Sequence, residues 1–327
     1  MISVPVNGSV YSIAQGPHGW VAVGRSAMPG ASPIWFSEDG VNWVAATSIP
    51  LVIFEEAILT QVIAGGPGYI AAGTDFLIDG GPPFAWTSSD GLHWTAASFA
   101  DGVTLGRVDS LVEVGGRFFA GGSLVGDGGF GTGPAVMWSS ANASDWAQTI
   151  LESGGATGSN ATAPVSFADE YASVGGAYTP YTGLVWTSRD GAQWSAGPGA
   201  AALARAYLRD VAVIAGQLVA VGAINGESFG SVGEPAIWSS EDGRIWKLLY
   251  AGPCCSQIQH VAAFGNGALA FAGNVVYLSE DGINWRLGGS VGGFSGEVVD
   301  LTVTPSVGLL AVGNDDGENY LLVPPPN

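Results

Sequence analysis

The chain has few of the residues that metal centres, disulfide frameworks and basic binding surfaces need. Its 327 residues include 2 cysteines, 3 histidines and a single lysine, Lys247, and 9 basic residues stand against 28 acidic ones, for a net charge of −19. So few cations cannot form a basic patch or stripe, which excludes nucleic acid as a partner. No apolar run approaches the length of a membrane-spanning helix, so we expect no direct membrane insertion.

The same composition bears on location. A chain that is acidic, poor in lysine and rich in small polar residues is typical of exported proteins. No charged and then apolar leader precedes Val4, so we expect either a cytosolic protein or an exported one whose leader is not part of this sequence. We favour the second, which predicts an extracellular or cell-envelope location.

Against these shortages stands an abundance of tryptophan and glycine, organised in a repeat. Two aromatic residues eight positions apart recur six times, and four copies carry the full pattern W-x-S-x-D-G-x-x-W. The third copy has Asn142 and Ala143 in place of Asp and Gly, and the sixth begins with Tyr277. The six copies are Trp35 to Trp43, Trp86 to Trp94, Trp138 to Trp146, Trp186 to Trp194, Trp238 to Trp246 and Tyr277 to Trp285.

Each copy predicts a hairpin turn between two strands. Glycine accepts a positive φ, and an aspartate side chain can bond to nearby backbone N–H groups, so Asp-Gly suits a tight turn. We therefore predict a structural and not a ligand-binding role for the aspartates of this motif, which are Asp39, Asp90, Asp190, Asp242 and Asp281.

The motif resembles the Asp-box of sialidase-like (BNR) β-propellers, whose usual form is S-x-D-x-G-x-x-W. This chain has one residue fewer between Asp and Gly. In that family the box is an outer-edge turn remote from the ligand, so the resemblance implies a fold and little chemistry. Sialidases also use an arginine triad and a FRIP-like segment. Because Arg189, Arg244 and Arg286 fall in or beside the box turns and no FRIP-like segment is present, sialidase activity is not expected.

A second repeat sets the number of blades. A small-residue strand that ends in glycine occurs seven times, at Gly24, Gly73, Gly122, Gly175, Gly222, Gly273 and Gly313. Only six boxes accompany these strands, so the last unit lacks its outermost strand, and the apolar segment Ile2 to Val6 can supply it. We predict an all-β, seven-bladed propeller of four-stranded blades, a single domain over residues 1–327, closed by the N-terminal strand beside residues 297–323.

Loops of variable length predict one binding face. The loops between the second and third strands and the linkers between repeats leave from the same end of each blade, and loops are where binding residues concentrate. This end would carry many acidic residues and the aromatic residues Phe76, Phe130, Tyr178, Tyr181 and Phe229. We expect a glycan, a peptide or a partner protein to bind there.

Three polar residues take equivalent positions on the innermost strands of consecutive blades. Alignment of the repeats places Asp210, His260 and Asp300 together at the mouth of the central channel. Such a cluster could bind a metal ion or perform acid and base catalysis. The alternative is structural, since buried polar groups bond to one another and to trapped water.

The only cysteines are adjacent, in the linker before His260. Cys254 and Cys255 could form a strained disulfide ring, remain free thiols, or bind a soft metal together with His260. A ring would give an apolar platform for a ligand, with Phe229 and Phe294 as walls. Separately, the acidic loop from Asn314 to Asn319 could bind Ca²⁺, although it lacks the spacing of an EF-hand.

Three hypotheses about function follow. The first is a non-catalytic extracellular or cell-envelope propeller that binds a glycan, a peptide or a protein on its loop face. The second is a carbohydrate-active hydrolase or lyase of sialidase-like fold, which would use paired carboxylates. The third is a structural subunit of an envelope or filament assembly.

Overall fold

The protein is an all-β, seven-bladed β-propeller, as the repeats predict. The structure is a computed structural model that describes residues 2–28, 30–50, 57–75, 81–99, 105–127, 129, 132–197, 201–226, 233–252, 256–265, 267–291, 294–304, 308–315 and 317–322. Seven sheets are formed, whose four blade strands run antiparallel, and the one helix in these ranges is a 3-10 turn, Ala201–Leu203. Among the same residues, no helix is both long and apolar enough to span a membrane.

Strands are numbered 1 to 4 from the innermost outwards. Blade 1 contains Gly8–Gly16, Gly19–Ser26, Ile34–Ser37 and Val44–Ala45, and blade 2 contains Ala57–Gly65, Gly68–Asp75, Pro83–Ser88 and Thr95–Ala96. Blade 3 contains Gly106–Val114, Arg117–Leu124, Ala135–Ser140 and Asp145–Ile150, with Ser98–Phe99 added at its edge. In blade 4, strand 1 is split into Thr157–Ala161 and Val165–Phe167, and Glu170–Thr179, Tyr181–Ser188 and Ser195–Ala196 follow.

The remaining blades have the same order. Blade 5 contains Ala206–Ile214, Gln217–Ile224, Glu234–Ser240 and Lys247–Ala251, and blade 6 contains His260–Phe264, Gly267–Ala272, Val275–Ser279 and Trp285–Ser290. Blade 7 contains Glu297–Thr304, Gly308–Asp315 and Glu318–Leu322, and Ile2–Ser3 is its fourth strand.

The chain divides into two compact units. The first is Met1–Ala120, Trp138–Gln148 and Gly296–Asn327, and the second is Gly121–Met137 and Thr149–Ser295. Blades 1, 2 and 7 lie in the first unit and blades 4, 5 and 6 in the second. The core of each unit is apolar side chains from facing sheets, such as Val21, Leu59 and Trp86 in the first and Val174, Leu208 and Leu218 in the second. The assignment of residues 1–327 to a single domain stays a prediction.

The N-terminal strand completes blade 7, which confirms the predicted closure. Ile2 pairs with Leu321 and Ser3 with Tyr320, in antiparallel register. The regular strand ends at Ser3, earlier than the predicted Val6, but Val4 is buried and its N–H donates to the carbonyl of Asn319 at 2.8 Å. The side chain of Asn319 also accepts the N–H of Val10 at 2.7 Å and donates to the carbonyl of Gly8 at 2.8 Å. Blades 7 and 1 are joined through this buried amide.

The repeated turn is a compact network of side-chain to backbone hydrogen bonds. In blade 5, the hydroxyl of Ser240 accepts the N–H of Gly243 at 2.9 Å, and Oδ1 of Asp242 accepts the N–H groups of Arg244 and Ile245 at 2.8 and 2.7 Å. These backbone bonds, with that from Ile245 the strongest, lower the pKa of Asp242. Equivalent bonds surround Asp39, Asp90, Asp190 and Asp281.

The third copy of the turn keeps this geometry with different residues. Oδ1 of Asn142 accepts the N–H groups of Ser144 and Asp145, both at 2.9 Å. Ala143 takes the left-handed conformation of the missing glycine, with φ of 63°. A neutral amide therefore replaces the aspartate carboxylate, and the cost is one residue in a conformation that disfavours a Cβ.

Candidate functional site

Four polar residues of the innermost strands follow a β-bulge. The register between strands 1 and 2 shifts immediately before Ser12 in blade 1, Gln61 in blade 2, Asp210 in blade 5 and Asp300 in blade 7. A bulge adds one residue to a strand and re-aims the side chains beside it. The repeated bulge gives these four polar side chains the same place in their blades.

From that place each of three side chains bonds to the next blade. The hydroxyl of Ser12 accepts the N–H of Val62 at 3.2 Å, Asp210 accepts the N–H of Val261 at 2.9 Å, and Asp300 accepts the N–H of Ile13. In every case the donor is the residue directly after the equivalent position of the next blade. These contacts favour the structural alternative for the inner polar residues.

Asp300 is the most deeply placed of these carboxylates. It is 7% exposed, and burial raises its pKa to about 6 in spite of hydrogen bonds from Ser12, the N–H groups of Leu301 and Ile13, and Gln61. The carboxylate is thus surrounded by donors of its own unit.

Asp210 and His260 lie on neighbouring innermost strands of the second unit. Asp210 also accepts its neighbour's N–H, from Val211, at 2.8 Å. Burial, and secondarily the positive charge of Arg209, lowers the pKa of His260 to about 4, so its imidazole is neutral at physiological pH. Asp300 belongs to the other unit, so a site formed by Asp210, His260 and Asp300 stays a prediction. Within the described ranges, no group of three His, Cys, Asp or Glu residues is arranged to hold a metal ion.

The other predicted site residues are only partly described. Cys254, Cys255 and Phe229 lie outside the described residues, so the disulfide and thiol alternatives stay predictions. Phe294 is 4% exposed, which leaves little of its ring for a ligand. Its carbonyl accepts a hydrogen bond from Nδ2 of Asn274, and the N–H of Val291 donates to the carbonyl of Asn274. These bonds join the short turn of blade 6 at Asn274 to the segment that follows strand 4.

Two side chains of the predicted calcium loop are engaged in hydrogen bonds within the protein. Asn314 donates to Asn319 at 3.1 Å, and Asn319 bonds to blade 1 as described above. Asp316 lies outside the described residues, so calcium binding stays a prediction.

A tyrosine–arginine cluster, which the repeats do not single out as a unit, joins blades 4 and 5 at the predicted loop end. It contains Tyr178, Tyr181, Tyr207, Arg209 and Gln257. The rings of Tyr178 and Tyr207 stack with centroids 5.0 Å apart, and that of Tyr181 lies 5.7 Å from Tyr207. The guanidinium of Arg209 lies over the Tyr207 ring at 4.6 Å, and its Nε donates to Oε1 of Gln257 at 3.1 Å.

Tyr207 is the buried member of the cluster. It is 1% exposed, and its hydroxyl donates to Oδ1 of Asn160 at 2.7 Å and lies 2.9 Å from the hydroxyl of Tyr178. Glycine is required beside two of the rings: a Cβ at Gly176 would lie 2.4 Å from Tyr207, and one at Gly226 would lie 2.3 Å from Tyr181. The tyrosine rings are therefore held in fixed positions by packing and hydrogen bonds.

The two outer tyrosines are only half-buried. Burial raises the pKa of Tyr181 above its ordinary value, while the charge of Arg209 opposes this rise, so the phenol is neutral at physiological pH. Tyr178 and Tyr181 belong to the loop end expected from the sequence. Tyr207 and Arg209 lie on the innermost strand of blade 5. Only a prediction of how blades 4 and 5 pack together could have placed them beside these tyrosines.

The fold places the chain in the class of seven-bladed β-propellers, and the tyrosine–arginine cluster lies where its blades 4 and 5 meet. Comparisons with protein-family models and with curated proteins found no match. Among solved structures, the chain is similar to "YCF48 bound to D1 peptide", with 14% identity over 99% of this chain and 96% of that chain and a TM-score of 0.61.

Two further solved structures share the fold. The chain is similar to the Dos1 propeller, with 9% identity over 97% of this chain and 92% of that chain and a TM-score of 0.55. It is also similar to the GH93 α-L-arabinofuranosidase of Fusarium graminearum in complex with arabinobiose, with 12% identity over 99% and 96% of the two chains and a TM-score of 0.56. Identities this low show the fold alone.

Proposed function

We propose that this protein is a non-catalytic binding propeller, which holds an extended peptide segment of a partner protein at the tyrosine–arginine cluster. As part of the same proposal, it works outside the cell or in the cell envelope, in keeping with its acidic, lysine-poor composition.

The observation that carries the proposal is the fixed position of Arg209. Its guanidinium is held over the ring of Tyr207 and by Gln257, in a chain with only 9 basic residues. A guanidinium in this setting can donate to peptide carbonyl groups or to a carboxylate, and little side-chain freedom remains to be lost when it does.

The tyrosines beside it supply contact area. Tyrosine combines a large apolar ring with a hydroxyl and few rotatable bonds, and it is enriched in binding surfaces for that reason. Because Tyr178 and Tyr181 are half-buried against Tyr207, their exposed edges present a surface that is already ordered. A propeller of this fold bound to a peptide is known in the YCF48 structure, which supports a peptide as ligand.

The contacts of the inner carboxylates favour binding over catalysis. Paired carboxylates in a glycosidase must face a bound sugar. Asp210 and Asp300 instead accept hydrogen bonds from backbone N–H groups of the adjacent blade. Similarity to an arabinofuranosidase does not alter this preference, since that similarity concerns the fold.

A two-armed screen tests the proposal. The purified protein is probed with a library of short linear peptides displayed on phage and, in parallel, with a glycan array. We expect enriched peptides that lose binding to an Arg209→Ala variant and keep it with Arg286→Ala, a matched removal of an exposed arginine. Binding to glycans alone, or a library in which no enriched peptide depends on Arg209, would contradict the proposal.

A further inference from the structure

Two cavities of the second unit lie at the same place in successive blades. One, of about 390 Å³, is lined by Glu170 and the turn and outer strand of blade 4, and by Arg244 of blade 5. The other, of about 480 Å³, is lined by Gln217 and the turn and outer strand of blade 5, and by Ile283 of blade 6. Glu170 and Gln217 are each the first residue of strand 2 in their blade. Arg244 and Ile283 each follow the glycine of the repeated turn. The two cavities are one repeated feature with different linings.

In the first unit, the linkers between blades run from one blade to the outer edge of the next at the equivalent place. The linker after blade 1 forms a parallel bridge from Ser48 to His93 of blade 2. The linker after blade 2 forms a short parallel strand, in which Ser98 pairs with Asp145 and Phe99 with Trp146 of blade 3. Both linkers run as extended segments along the outermost strand of the following blade.

Each linker donates a hydrogen bond to the carbonyl group at the same turn position of the following blade. The carbonyl of Leu92 accepts the N–H of Thr47 at 3.1 Å, and the carbonyl of Ser144 accepts the N–H of Ser98 at 2.6 Å. Leu92 and Ser144 each stand two positions after the Asp or Asn of the turn. The residues at that position in blades 5 and 6 are Arg244 and Ile283, which line the cavities.

The cavity between blades 5 and 6 combines three apolar side chains with polar ones. Ile245 is 75% exposed and Ile283 is 47% exposed, and both line it together with Leu249. The adjacent strand Trp285–Ser290 also carries the exposed side chain of Leu287. Glu241, Asp242 and Lys247 are among the polar residues that line it. Exposed apolar side chains gathered beside the edge of a sheet are typical of an interaction surface.

From this internal precedent, we propose a second docking surface, at which an extended segment of a partner protein adds to the edge of blade 6. The segment runs parallel to the strand that begins at Trp285 and donates a backbone N–H to the carbonyl of Ile283. One apolar side chain of the segment enters the cavity against Ile245, Leu249 and Ile283. This is strand addition to a sheet edge, in which main-chain bonds give affinity and the pocket gives specificity.

The surface is tested with displayed linear peptides, sorted by the variant that abolishes their binding. We expect a class of peptides that loses binding at least about tenfold with Ile283→Asp and retains it with Arg209→Ala. The matched control is Val41→Asp, since Val41 has the same turn position in blade 1 and is 57% exposed. Ile245→Asp serves as a second variant should Ile283→Asp fail to fold. Peptides lost only with Arg209→Ala belong to the tyrosine–arginine cluster, so the two proposals fail separately.

Backbone methylation of a selected peptide distinguishes strand addition from side-chain binding. A peptide of the Ile283-dependent class is synthesised with N-methyl groups at successive positions, and each version is titrated by calorimetry. We expect binding to be lost at alternate positions, because only alternate N–H groups face the strand. If methylation has a uniform or negligible effect, or if no displayed peptide depends on Ile283 or Ile245, the proposal is wrong.

Discussion

The carboxylate of Asp210 in blade 5 accepts the backbone N–H of Val261 in blade 6 at 2.9 Å. Ser12 makes the same contact to Val62, and Asp300 makes it to Ile13. A polar side chain on each of these innermost strands therefore accepts a backbone hydrogen bond from the next blade. The donor is the residue directly after the equivalent position of that blade.

This contact predicts a stability difference between two substitutions. Asp210→Ala leaves the N–H groups of Val211 and Val261 without their acceptor, so we expect a loss of about 1 to 3 kcal/mol in the free energy of unfolding. Asp210→Asn keeps one oxygen and should cost less. Urea unfolding measures both, with the exposed Glu280→Ala as control. Equal stability of wild type and Asp210→Ala would contradict the bonding role.

Asp300 predicts a gain of stability on acidification. Burial raises its pKa from 3.8 to about 6, so the folded protein holds a proton that the unfolded chain has already released. The resulting stability is complete below pH 3.8 and is lost as the pH rises through about 6. The difference in unfolding free energy between wild type and Asp300→Asn should fall by roughly 3 kcal/mol across this window. A difference that is constant from pH 4 to 7 would refute the assignment.

His260 predicts the opposite slope over nearly the same window. Its pKa is lowered from 6.5 to about 4, mainly by burial, so the unfolded chain takes up a proton before the folded protein does. Stability from this group is present above pH 6.5 and is lost as the pH falls through about 4. We expect His260→Gln to remove this acid sensitivity. Unfolding curves of wild type, His260→Gln and Asp300→Asn at several pH values should therefore separate two slopes that oppose each other in the wild type.

The N-terminal strand predicts that a short deletion destabilises the fold. Removal of residues 1–7 would expose an edge of blade 7 and take away Val4, which is buried and bonded to Asn319. We expect a lower midpoint of thermal unfolding, and a decrease in the same direction for Asn319→Ala, which loses its bonds to Gly8 and Val10. A deletion that unfolds at the wild-type temperature would contradict closure by this strand.

The sequence was sufficient for the blades because their determinants are local and repeated. Each turn needs a Ser, an Asp or Asn, and a residue with positive φ within four positions. The second strands of blades 1, 2, 4 and 5 each carry a glycine that faces backbone; at Gly222, for example, a Cβ would lie 2.0 Å from the carbonyl of Tyr207. The missing last strand was predictable because only Ile2 to Val6 remained unassigned.

The candidate site was harder to predict because it depends on contacts between repeats. Alignment of innermost strands gave Asp210 and Asp300 equivalent positions, but it cannot indicate that a bulge directs them to the next blade's backbone. The stacking of Tyr178 on Tyr207, and of Arg209 over the same ring, likewise joins two blades. The parallel strand Ser98–Phe99 left no pattern of its own, since two residues are too few to show alternation.

The most direct test of the central claim is a calorimetric titration of one displayed peptide that still binds Ile283→Asp, against wild type, Arg209→Ala and Arg286→Ala. Binding at the tyrosine–arginine cluster predicts that Arg209→Ala weakens affinity by about tenfold to a hundredfold, because charge-assisted hydrogen bonds to a held guanidinium are lost. Arg286→Ala, which removes an exposed arginine from blade 6, should bind as the wild type does. Equal affinity of Arg209→Ala and wild type would show that the cluster is not the binding site.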